Sequence, residues 1–163
     1  MKNNDPEKHL QIKLETKLNG LGIWYNFIEK PESTIHTTDA ALVTGIELHR
    51  ISKNLIAKTS EGKYVALIIP GDMKLNFKGA AKVIGVKNIN LVQFDFAHTI
   101  SGYPPGGTPS IGYDKELEVI LDSELLKYDT FYCGGGSTMT LLEIKRDDVI
   151  KINNAKVSKI STF

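Results

Sequence analysis

The chain has 163 residues, 20 Lys+Arg and 19 Asp+Glu, for a formal net charge of +1. With 41% hydrophobic and 24% charged residues it has the composition of a single globular domain, not of a disordered chain. The longest apolar run, Tyr64–Ile69, is far short of the roughly 20 residues that span a bilayer, and no apolar stretch follows the initial Met, so a soluble, cytoplasmic protein with no membrane partner is expected.

Residues 6–19 read as a helix, with Pro6 in its first turn and Leu10, Leu14 and Leu18 recurring on one face. Trp24–Ile28, rich in aromatic and β-branched residues, reads as a strand. Thr38 is expected to cap a short helix over Ala40–Val43 that stops at Gly45. Asn54–Lys58 and Tyr64–Ile69 are two strand-like runs joined by Thr-Ser-Glu-Gly, which predicts a hairpin. Asn76 caps a helix whose inner face is Phe77, Ala81 and Ile84 and which ends at Gly85. A short helix is expected within Gln93–Ile100.

An irregular loop follows, Gly102-Tyr-Pro-Pro-Gly-Gly-Thr-Pro-Ser-Ile-Gly112. It is followed by a strand at Glu118–Leu121, a helix capped by Asp122 and a strand at Thr130–Cys133. After Gly134–Gly136 come a strand at Met139–Ile144, a helix near Arg146–Ile152 and a last strand at Lys156–Ile160. Strands outnumber helices and alternate with them irregularly. The fold class is therefore α/β (α+β), with a mixed, curved, barrel-like sheet flanked by short helices. Residues 1–33 contribute a helix and a strand to the same domain as residues 34–163.

The charge is unevenly placed. Residues 50–90 carry eight basic and two acidic side chains, +6, whereas residues 113–131 carry two basic and six acidic, −4. A near-neutral sum thus leaves room for a cationic face that attracts a polyanion, although a solvated lysine surface gives the same count. Lys78 and Lys82, four apart, share one helix face.

Chemistry is carried first by the Gly/Pro loop, which holds four Gly and three Pro in eleven residues. Proline stiffens it, and glycine admits close approach of a ligand to the backbone. Gly106-Gly107 could aim successive amides at an oxyanion, phosphate or carboxylate, or the loop is a rigid connector. Gly134–Gly136 is either a bulged hairpin turn or a second wall of the same site. Lys53 alternates onto the face of Ile51, Leu55 and Ala57, so it either snorkels outward or meets an anion in a cleft. Cys133, in an apolar strand, reads as a buried, inert thiol. With one cysteine, and with His9, His36, His49 and His98 lacking ligand spacing, no metal is expected. No nucleophile elbow, phosphate loop or dinucleotide fingerprint is present. Any catalysis would rest on positioning and electrostatics.

Ile51-Ser-Lys53-Asn-Leu-Ile, Val65-Ala-Leu-Ile-Ile-Pro-Gly-Asp72, Leu75-Asn-Phe-Lys78-Gly-Ala-Ala-Lys82-Val-Ile-Gly85 and Gly102-Tyr-Pro-Pro-Gly-Gly107 follow one another in order. Together they resemble the YbaK-type aminoacyl-tRNA deacylases, relatives of the editing domain of bacterial prolyl-tRNA synthetases, over about Thr34 to Ile160. The resemblance implies hydrolysis of the ester joining a wrong amino acid, such as Cys or Ala, to tRNA for proline, without cofactor or metal. It implies that Lys53, Gly106 and Gly107 are the catalytic positions. Gly102, Tyr103, Pro105 and Thr108, with Gly135 and Gly136 of the second loop, would bind substrate. Lys74, Lys78 and Lys82 would contact the tRNA backbone. The expected partner is aminoacyl-tRNA, with prolyl-tRNA synthetase a further candidate; a non-catalytic tRNA- or synthetase-binding module of the same fold is the alternative. Three positions depart from the family pattern: Pro109-Ser110 where Ser-Pro is usual, Asn54 where Thr is common, and Ser137-Thr138 where a basic residue and Gly are frequent.

Overall fold

The computed structural model describes residues 4–163, so residues 1–3 of the expected N-terminal segment lie outside the described residues. Helix α1 spans Lys8–Leu21 and buries Leu14 and Leu18 completely. It starts later than its apolar spacing suggests. Asp5 accepts the Glu7 amide at 2.9 Å, and that turn holds Pro6 outside the helix. Each fully buried leucine contributes about 1.5–3 kcal/mol, enough to fix α1 on the core.

With strands numbered in chain order, β1 (Tyr25–Glu29) runs antiparallel to β8 (Thr140–Lys145), which also pairs antiparallel with β7 (Thr130–Gly134). A five-stranded sheet has the order β5-β2-β3-β6-β9, comprising Ile89–Leu91, Ser52–Thr59, Tyr64–Pro70, Glu118–Asp122 and Lys156–Ser158. The predicted hairpin is β2–β3, closed where the Thr59 amide donates to the Lys63 carbonyl at 2.8 Å. β6 joins β3 and β9 in parallel, so the sheet is mixed. A third pair joins β4 (Lys74–Leu75) to β10 (Ser161–Thr162).

These sheets do not close into a barrel. The five-stranded sheet ends at β5 and β9, three residues each, which are too short to carry the ladder further. Among the described residues, its bridge to the β1-β8-β7 sheet is the parallel pair Ile51 and Tyr132, beside which the Ser52 hydroxyl reaches the Tyr132 carbonyl. The strand expected over Lys156–Ile160 is broken by the fully buried Asp122, whose carboxylate accepts the Ile160 amide at 3.0 Å and the Glu124 amide at 2.8 Å. That cap opens the expected helix, which is a 3-10 turn over Ser123–Lys127. Helix α2 (Thr37–Thr44) begins before Thr38, at the extended His36, which gives no side-chain cap; the Thr37 hydroxyl donates to the Gly71 carbonyl at 3.2 Å. Helix α3 (Phe77–Ile84) starts as expected, with Asn76 accepting the Gly79 amide at 3.0 Å. Helices α4 (Phe94–Ser101) and α5 (Arg146–Asn153) complete the chain.

Both faces of the central sheet are covered. Ile56, Ile68 and Leu121 pack with the α1 leucines, Phe131 and Leu142, while Leu67, Ile69 and Ile120 pack on Ala80 and Ala81 of α3. Helix α1 also braces the Gly/Pro loop. Lys13 and Lys17 each reach Asp114 at 2.7 Å, Lys17 donates to the Gly112 carbonyl at 2.8 Å, and both ammonium groups lie over the Tyr103 ring.

Candidate active site

β5 covers β2 only at Ala57–Thr59, and Ile51 meets Tyr132. Between those two points the outer edge of β2 carries no partner strand at Lys53–Leu55 among the described residues. A cavity of about 420 Å³ opens there, lined by Lys53, Asn54 and Leu55, with Ala40, Ile51 and Leu141 among its apolar residues. Helices α2 and α4 and the loop residues Pro105, Gly106 and Thr108 form further walls. A small, mostly pre-formed apolar cavity with a few polar groups is the ordinary form of a small-molecule site.

Lys53 is half-buried and donates to the Met73 carbonyl at 2.7 Å. Burial lowers its pKa, Asp72 opposes that fall and Lys74 adds to it. The ammonium retains donors for a second partner. A second lysine, which sequence reasoning missed, also lines the cavity. Lys30 follows Ile28 by two residues, on the face that packs against Leu141. It is only 3% exposed, and its ammonium donates to the buried Thr34 hydroxyl at 2.6 Å. Burial pushes its pKa down to about 8, against the opposing fields of Glu7 and Asp5. The one available signal was positional: the end of an amphipathic strand just before Pro31.

The two glycine loops meet backbone to backbone. The Gly134 amide donates to the Thr108 carbonyl at 3.1 Å and the Gly136 amide to the Gly107 carbonyl at 2.9 Å. Of the Gly106-Gly107 pair, the Gly107 amide is already donated to the Pro104 carbonyl at 2.9 Å. The amides of Gly106 and Thr108 make no hydrogen bond to the protein among the described residues. Gly106 has φ +86°, and a side chain there would meet the Thr34 carbonyl at 2.6 Å, so the turn needs glycine.

Lys53, Pro105, Gly106 and Thr108 therefore lie together on the cavity. The other expected site residues do not line it. Gly102 ends α4, and the Tyr103 side chain is fully buried with its hydroxyl on the Gly112 carbonyl at 3.1 Å. The Gly135 amide is taken by the Thr140 carbonyl at 2.9 Å. Lys74, Lys78 and Lys82 are exposed on β4 and α3 and are not among the residues lining the cavity. Cys133 lines the cavity but is fully buried, and burial pushes its thiol up to about 12, which leaves it protonated and unsuited to nucleophilic attack.

Two departures from the family pattern are one structural unit. The buried Ser110 hydroxyl donates to Asn54 Oδ1, and Asn54 Nδ2 donates to Ser52 Oγ at 2.9 Å. Ser52 Oγ in turn donates to the Tyr132 carbonyl at 3.1 Å. The third departure is tied to the chain's N-terminal part: Asp5 takes the Ser137 hydroxyl, and Glu7 accepts both the amide and the hydroxyl of Thr138 at 2.8 and 2.7 Å.

The family described as the aminoacyl-tRNA editing domain matches residues 30–152. The chain is 26% identical over 131 residues to an Enterococcus faecalis protein, EbsC, named as a proposed Cys-tRNA(Pro)/Cys-tRNA(Cys) deacylase, covering 80% of each. It is 31% identical over 108 residues to the proline–tRNA ligase of Thiobacillus denitrificans, 66% of this chain but 18% of the ligase. Its fold matches, with a TM-score of 0.81 and 23% identity over 99% of this chain and 100% of the other, a crystal structure described as a proposed trans-editing enzyme for prolyl-tRNA synthetase. The chain belongs to the aminoacyl-tRNA editing domain family.

Proposed function

We propose that the chain is a free-standing deacylase that hydrolyses the ester between tRNA and a wrongly attached amino acid, with tRNA for proline carrying a small residue such as Cys or Ala as its substrate. It would act in the cytoplasm, after prolyl-tRNA synthetase or another enzyme has made the ester. The observation that carries this reading is Lys53: a half-buried ammonium on the open edge of β2, lining a cavity that Gly106 and Thr108 line as well.

In this reading a water oxygen attacks the ester carbonyl carbon. The negative charge that develops on the carbonyl oxygen would be met by Lys53 and by the amides of Gly106 and Thr108, since preorganised donors stabilise developing charge. The carbon–oxygen bond to the ribose then breaks, the ribose hydroxyl recovers a proton, and the amino acid leaves as its carboxylate. Rejection of the correctly attached amino acid would rest with the cavity's shape and polar lining, the logic of a second sieve. The family membership and the EbsC relative support the reaction class.

The test is a deacylation panel of tRNA for proline charged with Pro, Ala and Cys, run on the wild type and on Lys53→Ala. Hydrolysis of Ala or Cys esters that falls about 100-fold or more in Lys53→Ala is expected, with an unchanged melting temperature. Because burial lowers the Lys53 pKa, kcat/KM should decline at an alkaline pH below the ordinary lysine value of 10.5. Undiminished activity in Lys53→Ala removes Lys53 from the mechanism. Salt-sensitive tRNA binding with no hydrolysis of any ester would instead make the chain a binding module.

A further inference from the structure

Three apolar side chains ring the cavity mouth in the open. Phe94 is 57% exposed, Ile35 50% and Leu91 44%, and all three line the cavity. Scattered exposed apolar residues are ordinary, but three gathered on the rim of one cavity mark a contact surface. The two rings of α4 differ in a telling way. Phe96 is taken up by the Tyr64 ring at 6.3 Å between centroids, whereas Phe94, two positions before it, has no ring partner among the described residues. Phe94 thus offers a free aromatic face beside the open edge of β2.

Resting on the deacylase reading, we infer that Phe94 is the platform on which the 3′-terminal adenine of tRNA stacks, with Leu91 and Ile35 as its apolar surround. The ester is carried by the terminal ribose, and that ribose carries the adenine. When the amino acid is inside the cavity and Lys53 meets the ester, the polynucleotide must leave through the mouth, so the base lies over the rim. Every tRNA ends in the same base, so a stacking contact without base-edge hydrogen bonds suits an enzyme that meets many tRNAs. Base–aromatic stacking is sequence-tolerant and its removal weakens binding about tenfold or more.

Two measurements decide the matter. First, kcat/KM is compared for a CCA-ended aminoacyl minihelix and the same minihelix with an abasic terminal ribose. Phe94→Ala should lower the preference for the adenine-bearing ester by about tenfold or more, and Phe94→Trp should keep it. Second, Phe94→Trp is placed in a Trp24→Phe background, which removes the chain's one native Trp. Adenosine should then quench its fluorescence saturably, and ribose should not. The quench does not depend on turnover, so it holds even if no ester is cleaved and the deacylase reading fails. Equal decreases on both esters in Phe94→Ala, or no quench by adenosine, overturn the stacking platform.

Discussion

Lys30 occupies the least favourable position of any lysine in the site. Its folded pKa of about 8 lies below the ordinary 10.5 because burial penalises the charged amine, and Glu7 and Asp5 only partly offset this. Below pH 8 both folded and unfolded states hold the proton, and the folded state bears the penalty of a buried charge. Between pH 8 and 10.5 the unfolded state binds more protons, so stability rises with pH through that window. The gap corresponds to ~3 kcal/mol. Lys30→Met removes that penalty and also removes one hydrogen bond to Thr34, worth about 1 kcal/mol. The variant should therefore be more stable than the wild type by about 2 kcal/mol at pH 7, and the advantage should vanish by pH 10.5 in urea denaturation. A difference constant with pH would mean that Lys30 does not titrate in this range. None of this was legible in sequence, where Lys30 is one lysine before a proline. By contrast Lys53 stood out, because strand alternation set a charge on an otherwise apolar face. Asn54 and Ser110 could each be seen as unusual, yet only the fold shows them bonded to one another across 56 positions.

At the level of elements, the site depends on how closely β7 and the Gly/Pro loop approach. A Cβ on Gly134 would collide with the Gly107 carbonyl carbon and the Thr108 amide nitrogen, both backbone atoms with no freedom to rotate away. Gly134→Ala should destabilise the fold by about 1–3 kcal/mol, the usual range for overpacking. It should also reduce deacylation more than the folded fraction falls, because the loop bearing Gly106 and Thr108 is pushed from its place. Gly20→Ala, in α1 with nothing within 4 Å of the added carbon, should instead stabilise by about 0.5–1 kcal/mol. Denaturation curves and rates on the same preparations check both. If Gly134→Ala is as active as the wild type, the wall does not hold the loop. Local signals such as Asn76 before α3 or Thr-Ser-Glu-Gly between β2 and β3 made these elements readable, since their partners are near in sequence. The pairing of Tyr25 with Ile144 was not readable, because no local signal selects a strand more than a hundred residues away. The same holds for α1, whose lysines reach Asp114 to brace the loop.

Over the whole molecule the two unlike charge segments are treated differently by the fold. The acidic stretch is largely answered: Asp114 by Lys13 and Lys17, Glu118 by Lys156, and Glu124 by Lys127 and Lys159. Lys74, Lys78 and Lys82 have no carboxylate partner among the described residues and stand exposed. A formal charge of +1 thus coexists with unpaired cations on β4 and α3, and unpaired surface charges are the ones that reach a distant polyanion. Each neutralised phosphate contributes about 0.9 to the slope of log affinity against log salt. If these lysines track the tRNA backbone, replacing all three by Ala should flatten the salt dependence of kcat/KM on aminoacyl-tRNA by about 0.9 for every phosphate left without its lysine. The fall in kcat/KM on tRNA should exceed that on an aminoacyl-adenosine, which has no neighbouring phosphates to hold. A slope identical to that of the wild type would mean that tRNA approaches across a different face, with the Lys53 end of the basic segment serving the cavity alone.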